Sequence, residues 1–193
     1  MTALRLQTGG RFESRTTGYA VTFVFVLAAC ALFGCSNGPD VNEAHYLGKA
    51  LHYWNPGWCE DGFFFNSADA HLVFYWVFGW VPAVVGLETA SITGRLIAWV
   101  LLSVSWLSLC RALRLDGLRT IVAALLWLGL VRWCDLSGEW IVGGIEAKGL
   151  SLPFAIWGAA AVVKEQWGRA YILLGISTSL HVLVGGWTFG MAG

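Results

Sequence analysis

Charge is scarce in this sequence. Only 12% of its 193 residues are Asp, Glu, Lys or Arg, against roughly 25% in an average soluble domain. Twelve Lys and Arg balance twelve Asp and Glu, so the net charge is zero. That balance excludes the basic footprint of a nucleic-acid-binding protein. The basic residues are scattered in twos and threes, which also excludes polybasic anchoring to anionic lipid. The five cysteines include no CxxC pair. No P-loop, GxGxxG or HExxH pattern is present, nor any internal repeat or low-complexity tract.

Apolar residues and tryptophan are abundant instead. The apolar share is 57%, and there are twelve tryptophans, a residue that concentrates at membrane–water interfaces. Residues 18–35 are apolar and uncharged, close to the roughly 20 residues that cross a bilayer. Arg5, Arg11 and Arg15 precede them, which places the N-terminus, 1–17, in the cytoplasm. A second reading of the same start is a signal peptide of lipoprotein type, with Leu27-Ala28-Ala29-Cys30 as its processing site.

Residues 37–75 follow, and they hold five of the twelve acids, three of the four histidines and two of the four prolines. Asp40 opens a segment in which Val41, Ala44, Leu47 and Leu51 recur at helical steps, the pattern of an amphipathic helix on a membrane surface. Asn55-Pro56-Gly57 ends it. The run 72–87 is apolar but short and broken by Pro82, and is expected to be interfacial or re-entrant rather than spanning. Further spans are expected at about 96–110, 120–134, 149–163 and 171–189, so that 36–95 forms an extracytoplasmic loop with amphipathic and interfacial helices. With these spans, Arg5, Arg11, Arg15, Arg111, Arg114, Arg119, Lys164 and Arg169 all fall inside, as the positive-inside rule asks. The expected fold is an all-α, polytopic transmembrane bundle of the cell membrane. The last run has no polar tail, which suggests a piece of a longer membrane protein. Cys59 and Cys134 both fall outside, where a disulfide can persist.

Chemistry is expected at the outer face. Asp40 and Glu43 form an acid pair just beyond the first span. Such a carboxylate can take a proton from an acceptor hydroxyl or hold a divalent cation. The same Asp-x-x-Glu spacing is a helix capping box in form. Asp69 and His71 form a second candidate pair, able with His45, His52 and Cys59 to supply zinc ligands if they converge. Glu146 and Lys148 stand at the outer mouth of a later span, and Lys148 can meet a phosphate or pyrophosphate as a point charge. Asp69, His71, Glu146 and Lys148 are the candidate substrate-binding residues. His181 lies within the last apolar run, where an ionisable side chain marks a pathway or a site.

Three stretches carry a family resemblance: PDVNEAHYLGKA after the first span, SADAHLVFYWVFG some twenty-five residues on, and IEAKGLSLPFAIWGAAAVVKEQWGRAYILLGISTSLH. In that order they resemble the GT-C glycosyltransferases, multi-span enzymes that use lipid-phosphate-linked sugars. The resemblance runs from about residue 18 to 189. It implies that Asp40 or Glu43 is the catalytic or metal-binding acid of the first outer loop. It also implies a polyprenyl-phosphate-linked sugar as donor. The chain departs from the family pattern in lacking paired prolines near His71 and in spacing its two acids apart. Two other classes fit the composition: a transporter, channel or scaffold without enzymatic activity, and a lipoprotein anchored at Cys30.

Overall fold

The computed structural model of the chain describes residues 7–40, 42–134 and 141–192. Among them the chain is all-α, with nine helices and no strand. They are α1 (Gln7–Gly34), α2 (Glu43–Trp54), α3 (Leu72–Phe78), α4 (Trp80–Val85), α5 (Leu87–Ala112), α6 (Gly117–Trp133), α7 (Ala147–Val163), α8 (Trp167–Leu180) and α9 (Val182–Ala192).

The long helices pack in a row. α6 lies on α1, α1 on α5, α5 on α7, and α7 on α8 and α9. The short helices α2, α3 and α4 cover one end, with α2 against α3, α4 and α5, and α3 against α8. Two buried clusters follow this plan. One, at the covered end, joins Leu47, Phe74, Phe78, Ala90, Ile145 and Leu180. The other, between α1, α5 and α6, joins Val26, Cys30, Leu102, Ala124 and Leu128.

The two ends differ in charge. At the end opposite α2, the turns 113–116 and 164–166 bring in Arg111, Arg114, Arg119, Lys164 and Arg169. There the Arg111 guanidinium stacks 3.8 Å from the centre of the Tyr19 ring, tying α5 to α1. Asp116 caps α6 by accepting from the Arg119 N–H at 2.8 Å, which satisfies one free donor of the first turn.

Several boundaries differ from the sequence reading, each for a visible reason. The helix expected at 96–110 begins nine residues earlier, at Leu87. Glycine at Gly86, with φ of 81°, supplies the left-handed turn that starts it. Arg95 therefore lies inside α5 and is buried, not at its mouth. The interruption of 72–87 falls at Gly79, not at Pro82, which sits in the first turn of α4 where proline is tolerated. A Cβ on Gly79 would run into the Ala50 carbonyl oxygen, so the close approach of α2 requires glycine there.

The run 171–189 is likewise not one helix. It breaks at His181, whose backbone is extended (φ −150°, ψ 106°). α9 then packs back along α8, with Gly185 so close to Thr178 that no side chain could fit. The His181 ring Nδ1 accepts from the Val184 N–H at 3.3 Å and so caps α9. The amphipathic helix at 43–54 is present, but its buried face differs from the expected stripe. Leu47 and Leu51 are buried, yet Glu43 and Lys49 are buried beside them and Ala44 is exposed; Val41 lies outside the described residues. Cys59 and Cys134 are both exposed free thiols and form no bridge.

Among the described residues, one helix, Leu87–Ala112, is long and apolar enough to cross a membrane. The stretches Gly18–Gly34, Leu72–Val85, Ala147–Val163 and Val182–Ala192 are shorter apolar helices.

Candidate functional site

Glu43 opens α2 and is 1% exposed. A buried carboxylate must be paired or it is costly, and this one is fully engaged. Its Oε1 accepts from Arg95 Nε at 2.8 Å and from the Ile145 N–H at 2.7 Å. Its Oε2 accepts from Arg95 Nη2 and from the Asp40 N–H at 2.9 Å. Arg95 Nη1 also donates to the Ser36 carbonyl at 2.7 Å. One bidentate pair thus ties together the segment after α1, the start of α2, the middle of α5 and the strap before α7. The capping-box reading holds in part: Glu43 reaches back to the Asp40 N–H, but the residue at the cap position is Asn42, with no side-chain cap bond.

This arrangement does not fit a divalent cation at Glu43. Both carboxylate oxygens already face a cation and a backbone N–H, and a metal would have to displace Arg95. Nor do His45, His52, Cys59, Asp69 and His71 converge: among the described residues no three His, Cys, Asp or Glu side chains form a group able to hold a metal.

Asp40 is half-buried at the start of this segment. Its backbone is held by Glu43, and its negative charge acts on Arg95. Two residues on, Asn42 borders an open cleft of about 380 Å³, also lined by His45, Tyr46, Lys49, His71 and Tyr75. The cleft lies between α2, α3 and the loop that joins them.

Lys49 builds that loop. It is 2% exposed, unusual for a lysine. Its ammonium donates to the Ser67 carbonyl at 2.6 Å, to Ser67 Oγ at 2.9 Å and to the Phe64 carbonyl at 3.2 Å. Asp69 lies 3.6 Å from it and is partly exposed. His52 Nδ1 donates to the Trp58 carbonyl at 2.7 Å from the other side. Replacing Lys49 with methionine is expected to loosen 58–69 without unfolding the bundle, at a local cost of about 1–3 kcal/mol. Limited proteolysis of the folded protein should show new cuts confined to that loop.

His71 forms the floor of the cleft. Its Nε2 lies 3.3 Å from the Tyr46 hydroxyl, and its ring stacks on His181 with centroids 5.1 Å apart. The Tyr75 phenol is pushed up to about 12, first by burial and then by the charge of Asp69. It therefore stays a neutral hydroxyl at physiological pH.

The candidate residues thus separate into groups. Asp69 and His71 belong to the cleft and its loop. Asp40 and Glu43 flank it through the ion pair. Glu146 is buried at the cap position of α7 and Lys148 is half-buried in its first turn; neither lines the cleft. Cys30 is 1% exposed within α1, packed in the second cluster. Arg95, Lys49, Tyr46 and Tyr75 were not singled out from sequence. Arg95 had a signal: a lone arginine ahead of an apolar run is costly in a membrane segment unless paired. Set against known proteins, the chain matches no family model, no curated protein and no solved structure.

Proposed function

We propose that this chain is a polytopic membrane protein and a glycosyltransferase of GT-C type, with its centre on the extracytoplasmic face. Asp40 is its base. The acceptor hydroxyl attacks the anomeric carbon of a lipid-phosphate-linked sugar. Its proton passes to Asp40 as the new glycosidic bond forms, and the lipid phosphate leaves with the electrons of the broken bond.

The observation that carries this reading is the placing of Asp40. Its backbone N–H is held by the buried Glu43, and Asn42, two residues on in the sequence, borders a cleft lined by hydrogen-bond donors. Glu43 is the poorer base, because four donors already use its oxygens. The membrane setting is supported by the outward faces of the long helices. Leu96, Ile97, Val100 and Val104 on α5, and Leu125 and Leu126 on α6, are exposed apolar side chains, a surface that water disfavours. The basic turns at the end opposite the cleft agree with an outer cleft. The test is sugar transfer by membranes carrying the wild-type protein or Asp40→Asn.

A second reading is binding without catalysis. It is favoured by Lys49, which directs its donors to the loop's own carbonyls rather than into the cleft. Binding of a sugar lipid that is retained with no transfer detected would select it.

A further inference from the structure

We propose that His71 and His181 form a proton-operated latch, which holds α9 against α8 at neutral pH and releases it in acid. The inference stands on the contacts of the two rings and does not depend on sugar transfer. His181 is 8% exposed, at the break where the chain turns from α8 into α9. Its Nδ1 accepts from the Val184 N–H at 3.3 Å. An imidazole nitrogen accepts only while it carries no proton. The cap of α9 therefore requires a neutral ring at His181, and a proton on Nδ1 removes it.

His71, at the floor of the cleft, brings a second titrating ring against the first. The two rings lie within 13° of parallel, with centroids 5.1 Å apart. Two charged imidazoles at that separation repel each other, most strongly where water is scarce. The released form therefore binds more protons than the latched form, and the latch is lost as pH falls through the imidazole range. The groups around the pair do not restore the cap. From α2 the Tyr46 hydroxyl reaches His71 Nε2, and within α3 the Tyr75 ring stands edge-on to His71 at 6.3 Å. Tyr75 is a neutral phenol across that range. Asp69, on the loop, lies 3.6 Å from Lys49. α7 runs back along α8, and Ser151 bonds to Ser177 between them. That register sets the start of α7, with Glu146 and Lys148, level with His181. Glu146 favours a charged imidazole and Lys148 opposes one, but neither replaces the lost acceptor. α9 itself carries no charged side chain.

The test is hydrogen–deuterium exchange of the whole chain in phosphatidylcholine nanodiscs, each rate taken relative to an unstructured chain at the same pH. It compares about pH 7.5 with about pH 5.5, either side of the ordinary imidazole value of about 6.5. One proton gained on release shifts the balance about tenfold per pH unit. Protection of residues 182–188 should therefore fall about tenfold in acid, while residues 120–130 of α6 keep theirs. His181→Asn keeps an acceptor for the Val184 N–H, asparagine being a favoured cap, and has no proton to gain. Its protection should be the same at both pH values. His71→Phe keeps a stacked ring without the second charge, and should move the release to lower pH. His45→Asn, changed at an exposed position outside the pair, should behave like wild type. Should His181→Asn misfold, His71→Phe decides, and a release unchanged by it overturns the proposal. Equal wild-type protection at both pH values, an equal loss in α6, or a fall that persists in His181→Asn overturns it as well.

Discussion

Arg95→Met is expected to remove roughly 3–5 kcal/mol of stability, the usual consequence of deleting one partner of a buried ion pair. Methionine follows the aliphatic stem of arginine closely, so packing changes little. What changes is Glu43, left 1% exposed with only two backbone donors against a full negative charge. Domains are commonly stable by only about 5–15 kcal/mol, so much of the folded population is at stake. Glu43→Gln should cost a similar amount by stranding Arg95. The double variant Glu43→Leu/Arg95→Met should recover most of the loss, because it removes both charges and the need to desolvate them. Thermal unfolding of the purified protein in detergent, for Arg95→Met, Glu43→Leu and the double, gives the coupling directly. A single variant within about 0.5 kcal/mol of wild type, the ordinary range for surface changes, would mean that the pair does not hold these four segments together.

Asp40→Asn is expected to behave in the opposite way. Its side chain is half-buried, and the hydrogen bond that holds the segment uses its backbone N–H, which asparagine keeps. Stability should therefore change little. Transfer should fall by about 10²–10⁴, the share that general-base catalysis contributes. The comparison with Glu43→Gln separates chemistry from scaffolding. Asp40→Asn should give normal amounts of folded protein and almost no product. Glu43→Gln should lower the amount of folded protein, with product falling in proportion. Equal specific transfer by wild type and Asp40→Asn in the same membranes would remove Asp40 from the reaction.

The helical class was legible because it is written in long apolar runs, which need no knowledge of what they pack against. The breaks were less legible. One break falls at Gly79, where α2 comes so close that a Cβ would meet the Ala50 carbonyl, and the other at His181, whose ring caps α9. The first contact joins residues 29 apart, outside the windows that periodicity reads, and the second is a side-chain bond that apolar spacing does not report. The site shows the same limit. Glu43, Asp69 and His71 stood out as polar residues in a polar loop, but the role of Glu43 depends on Arg95 and Ile145, 52 and 102 residues away. Lys49, between Gly48 and Ala50, carries no sign of burial in the sequence. It is buried because a loop of aromatic and small residues folds over it and turns its carbonyls inward.

The transfer proposed for Asp40 requires that this end of the bundle face away from the cytosol. A membrane-impermeant maleimide decides it, applied to intact cells in a background of Cys35→Ser and Cys134→Ser, where Cys59 is the exposed native thiol. Cys59 in the cleft loop should label without permeabilisation, and Arg114→Cys in the α5–α6 turn should label only after it. Labelling of Arg114→Cys in intact cells, with Cys59 protected, would put the cleft in the cytosol and contradict the account.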